Sequence, residues 1–402
     1  MKLGHLENFQ IELETQSPIF IGSGRMLTKK DYIFDKKNGI IHMVDFSRFI
    51  NYLKKRSLLE AYEHYMLDPS QRNMIFFLSN HHVRMEDYCQ FTAYSIHAGE
   101  VMYHEKFRGV STFIKGPDGN PYIPGSSLKG VLRTAIAAKL IENGCFEGIV
   151  NGMEEAAQNF YDRTRYMSTE SNKLSEEIFH KLDIPFSQEH NHEGNQESEA
   201  RQDDDDNLSN NEILKDFMRG IQISDSQPIS CERLTICGKY DIRPDGSEEV
   251  ISTYRECLMP NTRVSFSLTL DHTILKEVGI DIEFIKHALK SFYKKQHESF
   301  KRYFSHLPDA IKNEDLDWSE KIPVILGGGS GYVSKTLIYP LVKDRERAVK
   351  LSGTILSKQF SGHAHERDLT RFKVSPHMFK ATKFNNQYYE MGKCTISIKS
   401  VV

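Results

Sequence analysis

The chain has 402 residues, 39% of them hydrophobic, a mean hydropathy of −0.50 and a formal net charge of −3. That is enough chain for two or three cores of ordinary size. Its apolar runs are broken by charge, as Arg133 and Lys139 break Val131–Ile141, so no stretch approaches the ~18 apolar residues of a membrane span.

Carboxylates fill the N-terminal stretch where a secretory core would lie, and the six cysteines (Cys89, Cys145, Cys231, Cys237, Cys257, Cys394) form no C-x-x-C. Both features predict a cytoplasmic protein with reduced thiols.

In chain order, Ile11 and Leu13 alternating with Gln10, Glu12 and Glu14 predict a half-buried strand over Phe9–Thr15. Pro18 and Gly22–Gly24 read as a turn, and Tyr32–Phe34 and Ile40–Val44 as strands. Helices are expected over Asp45–Lys55, Leu58–Leu67 and Arg72–Leu78, then strands over Thr92–Ala98 and Val110–Lys115. Pro117-Asp118-Gly119-Asn120 is a turn leading to a strand at Tyr122–Ile123.

Residues 187–212 hold nine carboxylates and one base, Arg201. They have no aliphatic periodicity and read as a disordered acidic insertion between an N-terminal module, 1–186, and a C-terminal module, 213–402. Without the insertion the remaining 376 residues carry a net charge of +5, which permits RNA binding. In the second module, strands are expected over Gly220–Ser224, Leu234–Tyr240, Arg263–Asp271 and Cys394–Ile398, and a helix over Asp281–Phe304. Two successive β-rich modules with crossing helices predict an α+β fold of ferredoxin-like (RRM-like) units with helical insertions.

Three glycine-bearing segments carry candidate chemistry. The run from Tyr122 to Ile141 reads as strand, Pro124-Gly125 turn and helix, with Ser126 or Ser127 as N-cap. Unpaired amides at the helix start, with Lys129 and Arg133 one turn apart, would form an anion site suited to phosphate. Gly130 costs the helix about 1 kcal/mol relative to alanine, which makes sense if another backbone approaches there. An ordinary capped helix explains the same residues.

The second segment is Gly327-Gly328-Gly329-Ser330-Gly331-Tyr332, with Lys335 beyond it. Its amides are sterically accessible, Tyr332 offers a stacking face for a base, and Lys335 a phosphate contact; a plain surface loop is the alternative. The third is Gly22-Ser23-Gly24-Arg25, a turn whose arginine could add a phosphate contact. Neither a Walker A loop nor a dinucleotide fingerprint is spelled by these glycines, and no cofactor is expected.

In this order the three segments resemble the RAMP superfamily of CRISPR-associated proteins, with an early G-x-G turn, a P-G-S-S-L-K-G-x-x-R helix start and a late G-G-G-x-G loop. Ser224-Asp225-Ser226, Glu256 to Thr262, and Met391-Gly392-Lys393 support the likeness, which spans Phe9 to Ile398 outside the acidic stretch. Within the superfamily the pattern looks most like the subunit at the head of the type III-A Csm complex, at the 3′ end of the guide RNA.

The resemblance implies paired ferredoxin-like folds and non-catalytic RNA binding. It also implies guide RNA and target RNA as ligands, neighbouring RAMP subunits as partners, and guide maturation by a recruited cellular 3′ exoribonuclease. A RAMP endoribonuclease is the rival, since some relatives cut RNA.

Other chemistries fit less well. Ser126-Ser127-Leu128-Lys129 spells S-x-x-K, but the S-x-N and K-T-G partners of penicillin-recognising enzymes are missing. His363 and His365 make one H-x-H, at most part of a metal site, and together with His190 and His192 are expected to be surface histidines.

Overall fold

The structure is a computed structural model describing residues 4–68, 73–103, 109–159, 165–182, 214–312 and 321–401. The acidic stretch, expected to be disordered, lies outside the described residues. The N-terminal part supplies β1 (Leu6–Thr15), β2 (Gly22–Leu27), β3 (Tyr32–Asp35), β4 (Ile40–Val44), α1 (Phe46–Lys55), α2 (Leu59–Leu67) and α3 (Met74–Asn80). It continues with β5 (Thr92–His97), β6 (Val110–Phe113), α4 (Gly125–Glu142), α5 (Glu147–Gln158) and α6 (Ser168–Phe179). After the acidic stretch come β7 (Ile221–Ile223), β8 (Leu234–Ile242), β9 (Glu248–Leu258), β10 (Arg263–Asp271), α7 (Ile282–Ser299) and β11 (Ile322–Ile325). The chain closes with α8 (Ile338–Leu341), α9 (Arg345–Gln359), α10 (Asp368–Phe372), β12 (Phe379–Phe384), β13 (Gln387–Glu390) and β14 (Lys393–Ser400).

β1 buries Phe9, Ile11, Leu13 and Thr15 and exposes Gln10 and Glu12, as period-2 alternation requires. It pairs antiparallel with β10 on one side and β14 on the other, in a sheet ordered β11-β14-β1-β10-β7. Taken in chain order, β1, α4, β7, β10, α7 and β14 form a βαββαβ unit with strands ordered fourth, first, third, second: a ferredoxin-like module. Helices α4 and α7 pack on each other, α4 also on β7 and α7 on β11. Leu128, Leu132, Ile136, Ile285 and Leu289 join Ile11 and Leu13 in one core.

The second sheet runs β2-β6-β9-β8-β5-β4-β3, with β12 and β13 attached at the end of β8. Helices α1 to α3 cover β3 with a separate aromatic cluster of Phe49, Tyr52, Tyr62, Tyr65, Phe77 and Phe91 around Ile33. The fold is α+β, with two ferredoxin-like modules and helical insertions. Both sheets take strands from either side of the boundary expected at 187–212. β1 sits in a sheet otherwise built after residue 213, and β8, β9 and β12 sit among β2 to β6. Among the described residues no helix is long and apolar enough to cross a membrane.

Two local expectations are corrected. Gly22–Gly24 is not a turn but the start of the exposed strand β2, whose register against β6 breaks between Gly22 and Met26. Gly24, at φ +82°, accommodates that irregularity without a steric penalty. Tyr122–Ile123 is not a strand; only Pro121 makes a single bridge to Lys115, because the chain must turn at once into α4.

A wholly buried carboxylate braces the second sheet. Glu256 accepts hydrogen bonds from the Tyr94 hydroxyl (2.6 Å), the Phe113 amide (2.8 Å) and the Lys115 ammonium (2.6 Å), linking β9 to β5, β6 and the turn beyond. Removing one member of such a set strands the others away from water. Glu256→Ala should therefore lower the unfolding free energy by about 3 kcal/mol or more, measured by urea denaturation.

Candidate nucleic-acid interface

Helix α4 begins at Gly125 with Pro124 as its N-cap, and neither Ser126 nor Ser127 makes a capping hydrogen bond. The first amide is taken internally: Gly125 N–H donates to Asp225 Oδ1 at 2.8 Å. Ser226 holds the approach, its Oγ accepting from Ile123 N–H at 2.9 Å and its own N–H donating to the Ile123 carbonyl. A Cβ at Gly125 would collide with the carbonyl oxygens of Ile223 and Ser224, so the close backbone approach is here. The position expected to need it, Gly130, is exposed, with nothing within 4 Å of where a Cβ would stand.

The two cations of this helix differ. Arg133 is half-buried and held by Asp216 at 2.7 Å, by Ser175 Oγ at 3.3 Å and over the Phe179 ring at 3.5 Å. It ties α4 to α6 and to the approach of β7, and its charge is already matched. Lys129 is half-buried, and burial pulls its pKa down, with Arg133 adding to the effect and Asp216 opposing it. Two carboxylates, Asp225 and Asp216, thus occupy much of the expected anion site. What remains open is Ser126 and Gly130, both exposed, beside the half-buried Lys129.

The glycine loop is built differently. Leu326 N–H donates to the Gly392 carbonyl and Gly328 N–H to the Phe20 carbonyl, at 2.8 and 2.7 Å. Gly327, Gly329 and Gly331 all have positive φ, at +92°, +82° and +93°. Ser330 Oγ donates to the Gly327 carbonyl, meets Ser334 Oγ at 2.9 Å, and Ser334 donates to Gly331, which locks the loop from within. A Cβ on Gly329 would strike the Arg255 guanidinium, and one on Gly331 would press on Lys380. The loop therefore lies directly on a basic surface.

That surface was not anticipated from the sequence. Arg255 sits over the Phe20 ring at 5.1 Å. Lys380 pairs with Asp241 at 2.6 Å, and Lys239 reaches the same oxygen at 3.9 Å. Burial lowers the pKa of Lys239, the neighbouring charges of Lys380 and Arg255 lower it further, and Asp241 only partly offsets them. Lys239, Lys380 and Arg255 thus lie near one another, with Asp241 bonded to Lys380 and Glu249 also acting on Lys239.

Two of the three sequence segments meet at Phe20, whose carbonyl holds Gly328 and whose ring underlies Gly22. Gly24 and Arg25 continue along the exposed edge of β2. Tyr332 packs half-buried against the core, and burial raises its phenol pKa, so much of the ring is unavailable to a base. Lys335 is exposed. The start of α4 lies close by, since α8 packs on α4 and Val131 and Ser334 line one crevice. Of the H-x-H pair, His363 is exposed as expected, whereas His365 is buried against Asp368 and His377.

Comparison with known proteins gives a consistent picture. The chain is 26% identical to the CRISPR system Cms protein Csm5 of Streptococcus thermophilus, over 98% of each chain. It is 25% identical to the protein of that name from Enterococcus italicus, again over 98% of each. Its fold is similar to that of a chain in the cryo-EM structure of a Csm-crRNA-target RNA ternary complex of a type III-A CRISPR-Cas system, with a TM-score of 0.60 and 19% identity over 97% of this chain and 100% of that one. The crystal structure of T. onnurineus Csm5 is also similar, with a TM-score of 0.58 and 18% identity over 95% and 99%. The RAMP superfamily matches residues 12–332, and the chain belongs to that superfamily.

Proposed function

We propose that this chain is an RNA-binding, non-catalytic subunit of a type III-A CRISPR ribonucleoprotein, holding the 3′ end of the guide RNA. The observation that carries this reading is the glycine loop seated on Arg255 and Lys380, with Lys239 beside them sharing Asp241 with Lys380. Full-length similarity to proteins named Csm5, and a fold like that of a chain from a complex with crRNA and target RNA, support it. The guide backbone lies across Gly327, Gly328, Gly329 and Gly331, with their peptide groups and the basic trio meeting phosphates. Arg25 extends the contact along β2, Lys335 lies past the loop, and Ser126, Lys129 and Gly130 form a second, weaker contact. Neighbouring RAMP subunits flank the chain, target RNA pairs with the guide, and a cellular 3′ exoribonuclease joins for trimming.

Salt dependence tests the assignment. Each phosphate deprived of its cation reduces the slope of log K against log salt by roughly one. Arg255→Ala with Lys239→Ala should weaken guide binding uniformly across sequences and flatten that slope by about two, measured by filter binding at several salt concentrations. Unchanged affinity and slope would sink the loop as an RNA site. Gly329→Ala should have a comparable effect on affinity, because its positive φ and the guanidinium beneath it both reject a methyl group.

Gly130→Ala separates the second contact from protein stability. With no protein atom near that position, alanine should stabilise the free chain by up to ~1 kcal/mol, read as a raised thermal midpoint. Guide affinity should fall in the same variant if an RNA backbone approaches there. For the rival reading, a multiple-turnover assay on repeat-derived and target RNA with the purified chain decides. No sequence-dependent cutting is expected, and its appearance would overturn the non-catalytic assignment.

A further inference from the structure

Away from the basic trio, three ionisable side chains come together in the interior. The Asp368 side chain, at the start of α10, is 1% exposed; its Oδ2 meets His365 Nδ1 at 3.0 Å and its Oδ1 meets His377 Nδ1 at 2.5 Å. The histidine side chains are only 7% and 8% exposed. One ligand atom from each residue falls within 4.8 Å of the other two. Beside the carboxylate, Ser375 is wholly buried and its hydroxyl has no hydrogen-bond partner of normal geometry.

Among the described residues neither a lysine nor an arginine forms an ion pair with Asp368, so the two imidazoles are the basic groups that face its carboxylate. Burial raises the pKa of Asp368, but the hydrogen bonds of His365 and His377 outweigh it and hold the carboxyl below its usual range.

From this donor set we infer that His365, Asp368 and His377 bind one zinc ion, with the Ser375 hydroxyl or a water completing its shell. Two imidazole nitrogens and a carboxylate are donors suited to zinc. Ligands about 2.0–2.2 Å from a common ion lie roughly 3 to 3.5 Å apart, whereas these ligand atoms spread over as much as 4.8 Å, so the side chains must draw together to admit the metal. Near-complete burial makes the role structural. A Cβ on Gly353 of α9 would clash with the His365 carbonyl, so that segment is pressed against the helix, and His377 stands three residues before Lys380. The ion would staple the segment after α9 to the base of β12, the strand that carries Lys380 beneath the glycine loop.

The test uses tag-free, full-length chain and zinc itself as the probe. Elemental analysis should give about one zinc per chain. A strong chelator should lower the thermal midpoint by ~5 °C or more, and added zinc should restore it. His365→Ala and Asp368→Asn should lose the ion, whereas His363→Ala, an exposed neighbour, should keep it. Far less than one zinc per chain, with no midpoint response of the wild-type chain to chelator or added zinc, would overturn the proposal in favour of a metal-free hydrogen-bonded triad. Equal loss of zinc in His363→Ala would overturn it in favour of surface binding. Because the wild-type response decides, poor folding of a variant leaves the test intact, and the readout does not depend on RNA.

Discussion

Between Thr15 and Phe20 the backbone leaves one sheet and enters the other, and the interface is positioned by the hydrogen bonds of that crossing. Gln16 and Ser17 N–H both donate to the Lys393 carbonyl, and Gly392 N–H donates to Pro18. Ile19 exchanges a pair of bonds with Leu258 at the end of β9, and the Phe20 carbonyl accepts from Gly328. Five residues, Gln16 to Phe20, thus fasten β14, β9 and the glycine loop to one short stretch of main chain. Main-chain bonds of this kind leave little freedom for the loop to rise from the basic surface. They also explain why β1 cannot belong to a module independent of the C-terminal half, since the strand and its exit are both paired to it.

Where the carboxylates fall decides which glycine segment is available to a nucleic acid. At the start of α4, Asp225 takes the first amide and Asp216 takes Arg133, so an incoming phosphate would compete with groups already in place. At the loop, Asp241 is shared by Lys380 and Lys239, and Arg255 lies against an aromatic ring. A phosphate there relieves repulsion among cations instead of displacing an anion. On this argument Gly327–Tyr332 is the more open of the two segments and Gly125–Arg133 the more occupied. The motif residues Gly125 and Arg133 then read first as the joint between α4, α6 and β7.

Much of the fold was legible from periodicity. β4 and β10 begin and end where alternation placed them, and α1 follows directly from Asp45, whose side chain caps it. These elements have one apolar face against a core, which is what period-2 and period-3.6 patterns report. β9, β12 and β13 were missed because exposed or charged residues such as Glu248, Glu249, Lys380 and Lys383 blur the alternation. Pairing partners were illegible throughout: nothing local in Leu6–Thr15 says that β10 and β14 flank it. The same limit hid the basic trio, drawn from β8, β9 and β12, and the pairing of His365 with His377 through Asp368. A basic residue alternating with apolar ones looks like an ordinary solvated strand face until its neighbours are known.

The glycines differ in what the fold requires of them. Gly130 has neither a positive φ nor a protein neighbour, so nothing in the free chain requires it. Gly329 has both constraints at once, a φ of +82° and the Arg255 guanidinium where a Cβ would stand. A side chain there would strain the backbone and lift the loop from Arg255. Backbone amides and the charges beneath them can meet the same phosphate only if the layer between them is one glycine thick. The absence of a side chain is therefore a geometric requirement of the basic surface, fixed from below by Arg255 and Lys380 and from the side by the Phe20 carbonyl. A sequence with four glycines in five positions states that backbone is exposed; the residues under it determine what that backbone can hold.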